Sequence, residues 1–206
     1  PSDTLHQYIE ASVVKISPEL SLDIGTIRPA LPFGIALEDA RLHHESEPGI
    51  PVFRGETVTV SPSFRTFVEG KPIVHFSCDS YGGTFDGEIV FRTFALNRPF
   101  KSELQISGVR LEQYEMLRER LKRRCTGVIS GRITYAFDKR HLLDGSGEAE
   151  FAISNGTVRF SQPFFGLETL DFDQIDARMG IKDRRVVFDE ISFRGTKLNG
   201  RGNGTM

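Results

Sequence analysis

The feature that most constrains this chain is a strict alternation of apolar and polar residues in segments that begin at glycines. In the segment from Gly127 to Phe137, apolar residues occupy most odd-numbered positions, whereas Ser130, Arg132 and Thr134 are polar. A period of two places successive side chains on opposite faces of a β-strand. When one set is apolar, one face is buried and the other meets water. The pattern therefore predicts a sheet with one apolar face.

The same pattern recurs elsewhere in the chain. The segments "GGTFDGEIVF" at 82–91 and "TGVISGRITY" at 126–135 both contain a glycine, three residues, a second glycine and an alternating strand. Glycine at such positions marks a turn, a bulge or a close approach of two backbones. The segment "EAEFAISNGTVRF" at 148–160 also alternates. Its Asn155-Gly156 pair predicts a two-residue type I′ hairpin turn between two strands.

Two segments have the period of an amphipathic helix instead. Residues 1–17 and 110–124 carry apolar residues three or four positions apart, which places them on one stripe of a helix. The second helix ends in a basic cluster, where cations meet the negative end of the helix dipole. We consider two interpretations of this cluster, a solvated helix face and a site for partners or lipid headgroups. The cluster consists of Arg118, Lys122, Arg123 and Arg124.

Together these patterns predict a mainly β protein built as a long antiparallel meander. We expect ten to twelve strands that form one curved, twisted sheet, either an open half-pipe or a sheet folded over itself, with two short amphipathic helices. No low-complexity linker divides the 206 residues. We therefore expect a single domain over 1–206, with a helix over 1–17 followed by the sheet over 18–206.

Composition narrows the function. The net charge of −2 provides no field that would attract nucleic acid. The chain has 17 Phe and no Trp, and many of the Phe residues alternate with polar ones. They belong either to the core of the sheet or to an apolar groove. The candidate groove residues are Phe85, Ile89, Phe91, Ile133, Tyr135, Phe137, Phe151 and Ile153.

Sequence motifs for catalysis and metal binding are missing or weak. There is no nucleophile elbow, zinc-protease helix, phosphate-binding loop or paired CxxC. The pair Cys78 and Cys125 permits one disulfide without establishing it. His43 and His44 are adjacent, so on a strand they face opposite ways, and the acidic run at 171–176 lacks the glycine of a calcium loop. We expect no enzymatic activity and no cofactor.

Four segments together resemble the type II secretion system protein N family, in its GspN-like branch related to AsmA. They are "YIEASVVKISPELSLDIGTIRPALPFGIALEDARL", "PVFRGETVTVSPSF", "YGGTFDGEIVF" and "GVRLEQYEMLRERLKRRCTGVISGRITY". The resemblance implies a periplasmic β-rich domain, anchored to the inner membrane by a transmembrane helix that precedes these residues. Residues 1–17 would then be a juxtamembrane helix. The wider AsmA-like group has curved sheets with an apolar channel that handles lipids.

Two functions follow as hypotheses. The first is a non-enzymatic accessory or scaffold domain of type II secretion, which contacts other secretion components along its sheet edges. The alternative is an AsmA-like groove that binds or transfers lipid. A filled core beneath the candidate groove residues favours the scaffold, and an open trough favours lipid binding.

Overall fold

The computed structural model describes residues 2–16, 19–46, 49–93, 99–121, 125–137, 145–164, 167–182, 185–195 and 199–205. The helices are α1 Ser2–Ile16, α2 Arg65–Glu69 and α3 Glu115–Leu121, with a 3-10 turn at Leu111–Gln113. The strands are β1 Leu20–Asp23, β2 Thr26–Ala30, β3 Gly34–His44, β4 Phe53–Pro62, β5 Ile73–Ser80, β6 Gly83–Phe91, β7 Phe100–Arg110, β8 Cys125–Phe137, β9 Ser146–Phe164, β10 Leu167–Lys182, β11 Arg185–Arg194 and β12 Asn199–Thr205.

All twelve strands belong to one antiparallel sheet, which confirms the predicted meander. From β3 to β12 each strand pairs with the next along the chain, and both β1 and β2 pair with β3. The sheet is not closed into a barrel. In the described part of the chain, β12 therefore forms one edge and the β1 and β2 strands lie at the other.

The sheet is largely a single layer. The chain exposes 13769 Å² to solvent, whereas a compact monomer of 23.1 kDa is expected to expose roughly 9,700 Å². The excess is about 40%. A protein built from two tightly packed layers hides far more of its surface, so the apolar face of this sheet is incompletely covered.

The register separates the side chains into two faces, as the alternation predicts. Across the middle of the sheet, one row of directly paired residues contains Phe85, Ile106, Gly131, Phe151 and Ala177. The neighbouring row, on the opposite face, contains Gln105, Arg132, Glu150, Arg178 and Glu190. One face is therefore apolar and the other carries alternating charges.

Aromatic rings cover glycines in the facing strand. Gly131 pairs with Phe151, and a Cβ atom at Gly131 would lie 2.6 Å from Cδ1 of that ring. The missing side chain lets the ring lie flat across the neighbouring backbone, an arrangement that shields strand glycines. The other pairs of this kind are Phe76 with Gly87, Tyr135 with Gly147 and Phe172 with Gly156.

The predicted hairpin turn at Asn155-Gly156 is wrong, because β9 runs without interruption through both residues. A type I′ turn needs positive φ at two consecutive residues. Asn155 has φ 52°, but Gly156 is extended and lies under the Phe172 ring. Gly127 on the facing strand has φ 142°, where the β8–β9 register shifts. The pair therefore belongs to a β-bulge in a continuous strand.

The predicted helix over 110–124 is also wrong in its extent. Tyr114 leaves the helical conformation, with φ −82° and ψ 101°, and separates the 3-10 turn from α3. Its hydroxyl donates a hydrogen bond to the Val52 carbonyl oxygen at 3.0 Å, which holds the backbone away from a continuous helix. The first predicted helix is confirmed as α1, and in the described part of the chain the five-residue α2 is a third α-helix beside the two expected amphipathic ones.

Candidate functional site: the apolar face of the sheet

The eight candidate groove residues all lie on the apolar face of the sheet. The register pairs Phe85 with Ile106, Ile133 with both Leu104 and Ala149, and continues the same rows across β6 to β9. Phe91 is buried, with 9% of its surface exposed, and the other seven are half-buried. Side chains of a filled core would be almost fully buried. The apolar face is therefore only partly covered, and we call this partly covered face the trough.

An aromatic cluster closes one end of this face. The ring of Phe53 lies edge-on to Phe85 at 5.3 Å and to Tyr81 at 6.0 Å. Tyr81 in turn contacts Tyr114 at 5.3 Å. These T-shaped contacts are the geometry that aromatic quadrupoles prefer. The 3-10 turn is held against the sheet by this cluster.

A second aromatic cluster lies at the opposite end of the same strands. Phe100 is at its centre, with ring distances of 6.0 Å to Phe91, 6.2 Å to Tyr135 and 5.3 Å to Phe137. Phe85 and Phe91 lie on one strand, six residues apart, which corresponds to about 20 Å. The two clusters thus mark the ends of a trough about 20 Å long.

The floor of the trough between the clusters is apolar. Its central row contains Phe76, Gly87, Leu104, Ile133 and Ala149, which the register places side by side. The backbone groups beneath them are used by the ladders between strands, so they offer the trough no free donor or acceptor. In the next row, Ser102 pairs with Ile89 and Tyr135 and places one hydroxyl on this face. The rest of the surface is mainly hydrocarbon, which interacts by contact area.

The polar face has a different character. Its charges are paired across strands, with Arg178 Nε 2.8 Å from Glu150 and Arg132 Nη2 3.1 Å from Glu103. Four hollows of about 450 to 570 Å³ lie mainly among such side chains on this face. Exposed ion pairs of this kind contribute little stability each, about 0 to 1 kcal/mol. The polar face therefore presents a solvated network of mixed charge.

Both cysteines are free, so the structure does not contain the disulfide that the cysteine count permits. Burial is the first cause that raises the pKa of the Cys78 thiol, to about 12, and it also raises the pKa of Cys125. Because the thiolate is the nucleophilic form, burial of Cys78 disfavours its reactive state at neutral pH. Burial likewise raises the pKa of Tyr81 to about 12, despite the hydrogen bond it accepts from the Arg54 backbone N–H.

The candidate basic cluster is only partly visible. Arg118 lies on α3 with its side chain exposed. The other members, Lys122, Arg123 and Arg124, lie outside the described residues. The two interpretations of this cluster, as a solvated face or as a headgroup or partner site, both stay open.

The weak metal-binding motifs do not come together. His43 is 3.5 Å from Asp23 and His44 is 3.5 Å from Glu19, so the two imidazoles have different partners. Asp176 accepts hydrogen bonds from Gln174 and Ser192. Over the described ranges, no group of three or more His, Cys, Asp or Glu side chains has the arrangement of a metal site. Nor does any helix in those ranges have the length and apolar character needed to cross a membrane.

Comparison of the chain with protein-family models, with curated proteins and with solved structures found no match in any of the three. The resemblance to the type II secretion protein N family therefore stays a prediction. The case for a function depends on the geometry of the apolar face.

Several residues of this face escaped the sequence analysis. The candidate set omitted Phe53, Phe76, Phe100 and the tyrosines of the first cluster. Phe76 and Phe100 occupy alternating positions within β5 and β7, so extending the period-two count to those strands would have found them. Tyr81 and Tyr114 lie outside any strand, so the period-two count does not find them.

Proposed function

We propose that the apolar face binds the acyl chains of lipids, as an open trough. The observation that carries this proposal is that large apolar side chains on neighbouring strands stay half-exposed along one face of a single-layer sheet. Contiguous apolar surface in contact with water is unfavourable, and in soluble proteins it commonly marks a binding site. Covering this face with hydrocarbon removes that cost.

An acyl chain fits the chemistry of the trough. It requires no hydrogen-bond partner, and the central row from Phe76 to Ala149 offers none. The length of an acyl chain also fits the trough. One leaflet contributes roughly 15 Å to the hydrocarbon core of a bilayer, and the trough is about 20 Å long. The aromatic clusters at both ends supply flat apolar surfaces against which a chain end can lie.

The test is uptake of a fluorescent fatty acid by the purified chain, with native mass spectrometry to detect retained lipid. We expect saturable uptake, and we expect Ile133→Thr to weaken it about tenfold, because a polar hydroxyl replaces about two buried carbons. The matched control is Thr134→Val, which changes the neighbouring residue on the opposite face of β8. The control should bind like the unchanged protein.

Three outcomes would refute acyl-chain binding. They are no uptake by the unchanged chain, no lipid in the native mass spectrum, and equal uptake by both variants. Circular dichroism and a thermal melt of each variant establish that the sheet is intact. If Ile133→Thr does not fold, Phe85→Tyr, which adds only a hydroxyl near one end of the trough, replaces it.

A second candidate function is the accessory or scaffold role in type II secretion, in the periplasm and anchored to the inner membrane. The observation that favours it is the open edge of the sheet. Every residue of β12 is exposed, and β12 pairs only with β11 in the described part of the chain. An exposed edge offers backbone groups to a strand of a partner protein.

A photo-crosslinking amino acid at Arg201 in the full-length protein tests this candidate in secreting bacteria. We expect crosslinks to a component of the secretion machinery, whereas the same probe at Thr134, in the middle of the sheet, should give none. Unimpaired secretion in a deletion strain, together with the absence of such crosslinks, would exclude the scaffold role.

A further inference from the structure

One corner of the sheet carries large apolar side chains that stand in water. They come from the turn between β2 and β3 and from α2 with its preceding residue. The members of this apolar tip, with the exposed fraction of each, are Leu31 96%, Phe33 71%, Phe64 67%, Phe67 82% and Val68 88%. These are the most exposed large apolar residues in the described chain.

The register brings the two segments to the same end of the sheet. Ile35 pairs with Val60, so the turn that precedes β3 lies beside the residues that follow Val60 and lead into α2. A Cβ at Gly34 would lie 3.1 Å from the Cβ of Ser61. This is also the end of the trough where Phe91 lies, because Ile73 at the start of β5 pairs with Val90.

Hydrogen bonds fix α2 in an orientation that turns its apolar residues outward. The Thr66 hydroxyl donates to the Ile73 carbonyl oxygen at 3.3 Å and accepts from the Ile73 N–H at 3.0 Å. Ile73 itself is 1% exposed, so Thr66 is tied to a rigid part of the sheet. Surface helices normally place the apolar side against the protein and the polar side in water. Here Thr66 faces the sheet, whereas Phe67 and Val68 face water.

Several backbone N–H groups at this corner also have the hydrogen-bond partners that an apolar environment requires. The N–H groups of Thr66, Phe67 and Gly70 donate to carbonyl oxygens within the turn, at 3.0 to 3.1 Å. The Arg65 N–H donates to the Ser63 hydroxyl at 3.3 Å. Unsatisfied donors are the main barrier to placing a turn in lipid. The first three N–H groups of α2, and that of Gly70 after it, therefore have partners within the turn.

We infer that the apolar tip inserts into the interfacial layer of a lipid bilayer. The side chains project from two separate turns, and none of the four hollows on the polar face is lined by any of the five. A protein partner would have to match this uneven shape, whereas a bilayer deforms around it. Amphipathic segments with Phe and Leu on the lipid-facing side bind membranes in this way.

The charges near the apolar tip indicate whether its binding requires anionic lipid headgroups. Arg65 is bonded to Glu69 at 2.7 Å and to Glu88 at 3.1 Å, and Arg28 is bonded to Glu38 at 2.7 Å. With the exposed Lys71, which follows α2, these groups sum to three cations and three carboxylates, so no net positive charge attracts anionic lipids. Neutral phosphatidylcholine vesicles should therefore be sufficient, and raising the salt concentration should change binding less than twofold.

The chain contains no Trp, so a single introduced Trp reports on its own position. We expect Phe67→Trp to show a blue-shifted emission on phosphatidylcholine vesicles and quenching by brominated acyl chains. The matched control is Arg201→Trp, an exposed position on the polar face of β12, at the opposite edge of the sheet. Its emission should not shift.

A second measurement is sedimentation with the same vesicles. Phe67→Ser combined with Val68→Ser should reduce the bound fraction at least tenfold at unchanged melting temperature, and uptake of fatty acid without vesicles should be normal. Acyl-chain binding and membrane insertion are thereby tested separately. Equal sedimentation of the variant, or an unshifted Phe67→Trp spectrum, would overturn the proposal. A concentration-dependent dimer that the double variant abolishes would also overturn it and would assign the tip to a second copy.

Discussion

Replacing Phe172 by alanine is expected to lower the free energy of unfolding by about 3 to 5 kcal/mol. Phe172 is 4% exposed, and its ring lies 5.8 Å from that of Phe193. The ring also fills the space above Gly156, where a Cβ would be only 2.1 Å from Cζ. Because Gly156 has no side chain of its own, it cannot refill the cavity. The loss therefore falls in the upper range for core truncations.

Urea denaturation followed by circular dichroism measures this effect. The matched control is Phe33→Ala, which removes the same atoms from a residue that is 71% exposed. Surface substitutions of this kind usually change stability by less than about 0.5 kcal/mol. A loss below about 1 kcal/mol for Phe172→Ala would show that the ring does not support the sheet.

Adding a single methyl group at Gly131 is expected to destabilise the protein by about 1 to 3 kcal/mol. The new Cβ would lie 2.4 Å from the Glu150 carbonyl oxygen and 3.2 Å from the Phe151 Cα. Both are backbone atoms of β9, which pairs with β8 and β10 on its two sides. The backbone of a central strand cannot yield without stretching both ladders. Without these contacts, replacing glycine by alanine would slightly favour folding, because glycine loses more conformational entropy when the chain folds.

The control for this experiment is Gly202→Ala. Gly202 lies on β12, at the end of the same register row as Gly131, and a Cβ there meets no atom within 4 Å. Its stability should change by less than about 0.5 kcal/mol. If both variants lose the same stability in thermal unfolding, the loss does not come from close packing over Gly131.

The two faces of the sheet were predictable from sequence because the period of a strand is local. Ile133 and Thr134 face opposite sides whatever the rest of the fold does. The fate of Asn155-Gly156 was not predictable in this way. The described turn with positive φ at consecutive residues is Tyr81-Gly82, at 52° and 70°. Ser80 and Gly83 pair with each other across that turn, whereas Asn155 lies between two long partner strands that keep β9 extended.

The candidate site shows the same division between local and distant causes. The alternation identified the apolar face, because the period of two within each strand shows which side chains lie on its apolar side. It could not show that the face stays partly open, since openness depends on how much of the remaining chain covers it. The orientation of α2 could not be predicted from the sequence either. Its outward Phe67 follows from hydrogen bonds between Thr66 and Ile73, seven residues apart, and not from any helical period.

The connectivity of the meander has a consequence for how such a chain changes over evolution. From β3 onward, each strand forms backbone ladders only with its immediate neighbours along the chain, so the sheet approximates a one-dimensional array. Duplicating or deleting one hairpin would lengthen or shorten the sheet by two strands, and the ladders between the other strands would persist. Selection can thus change the area of the apolar face by two strands at a time, without a change of fold.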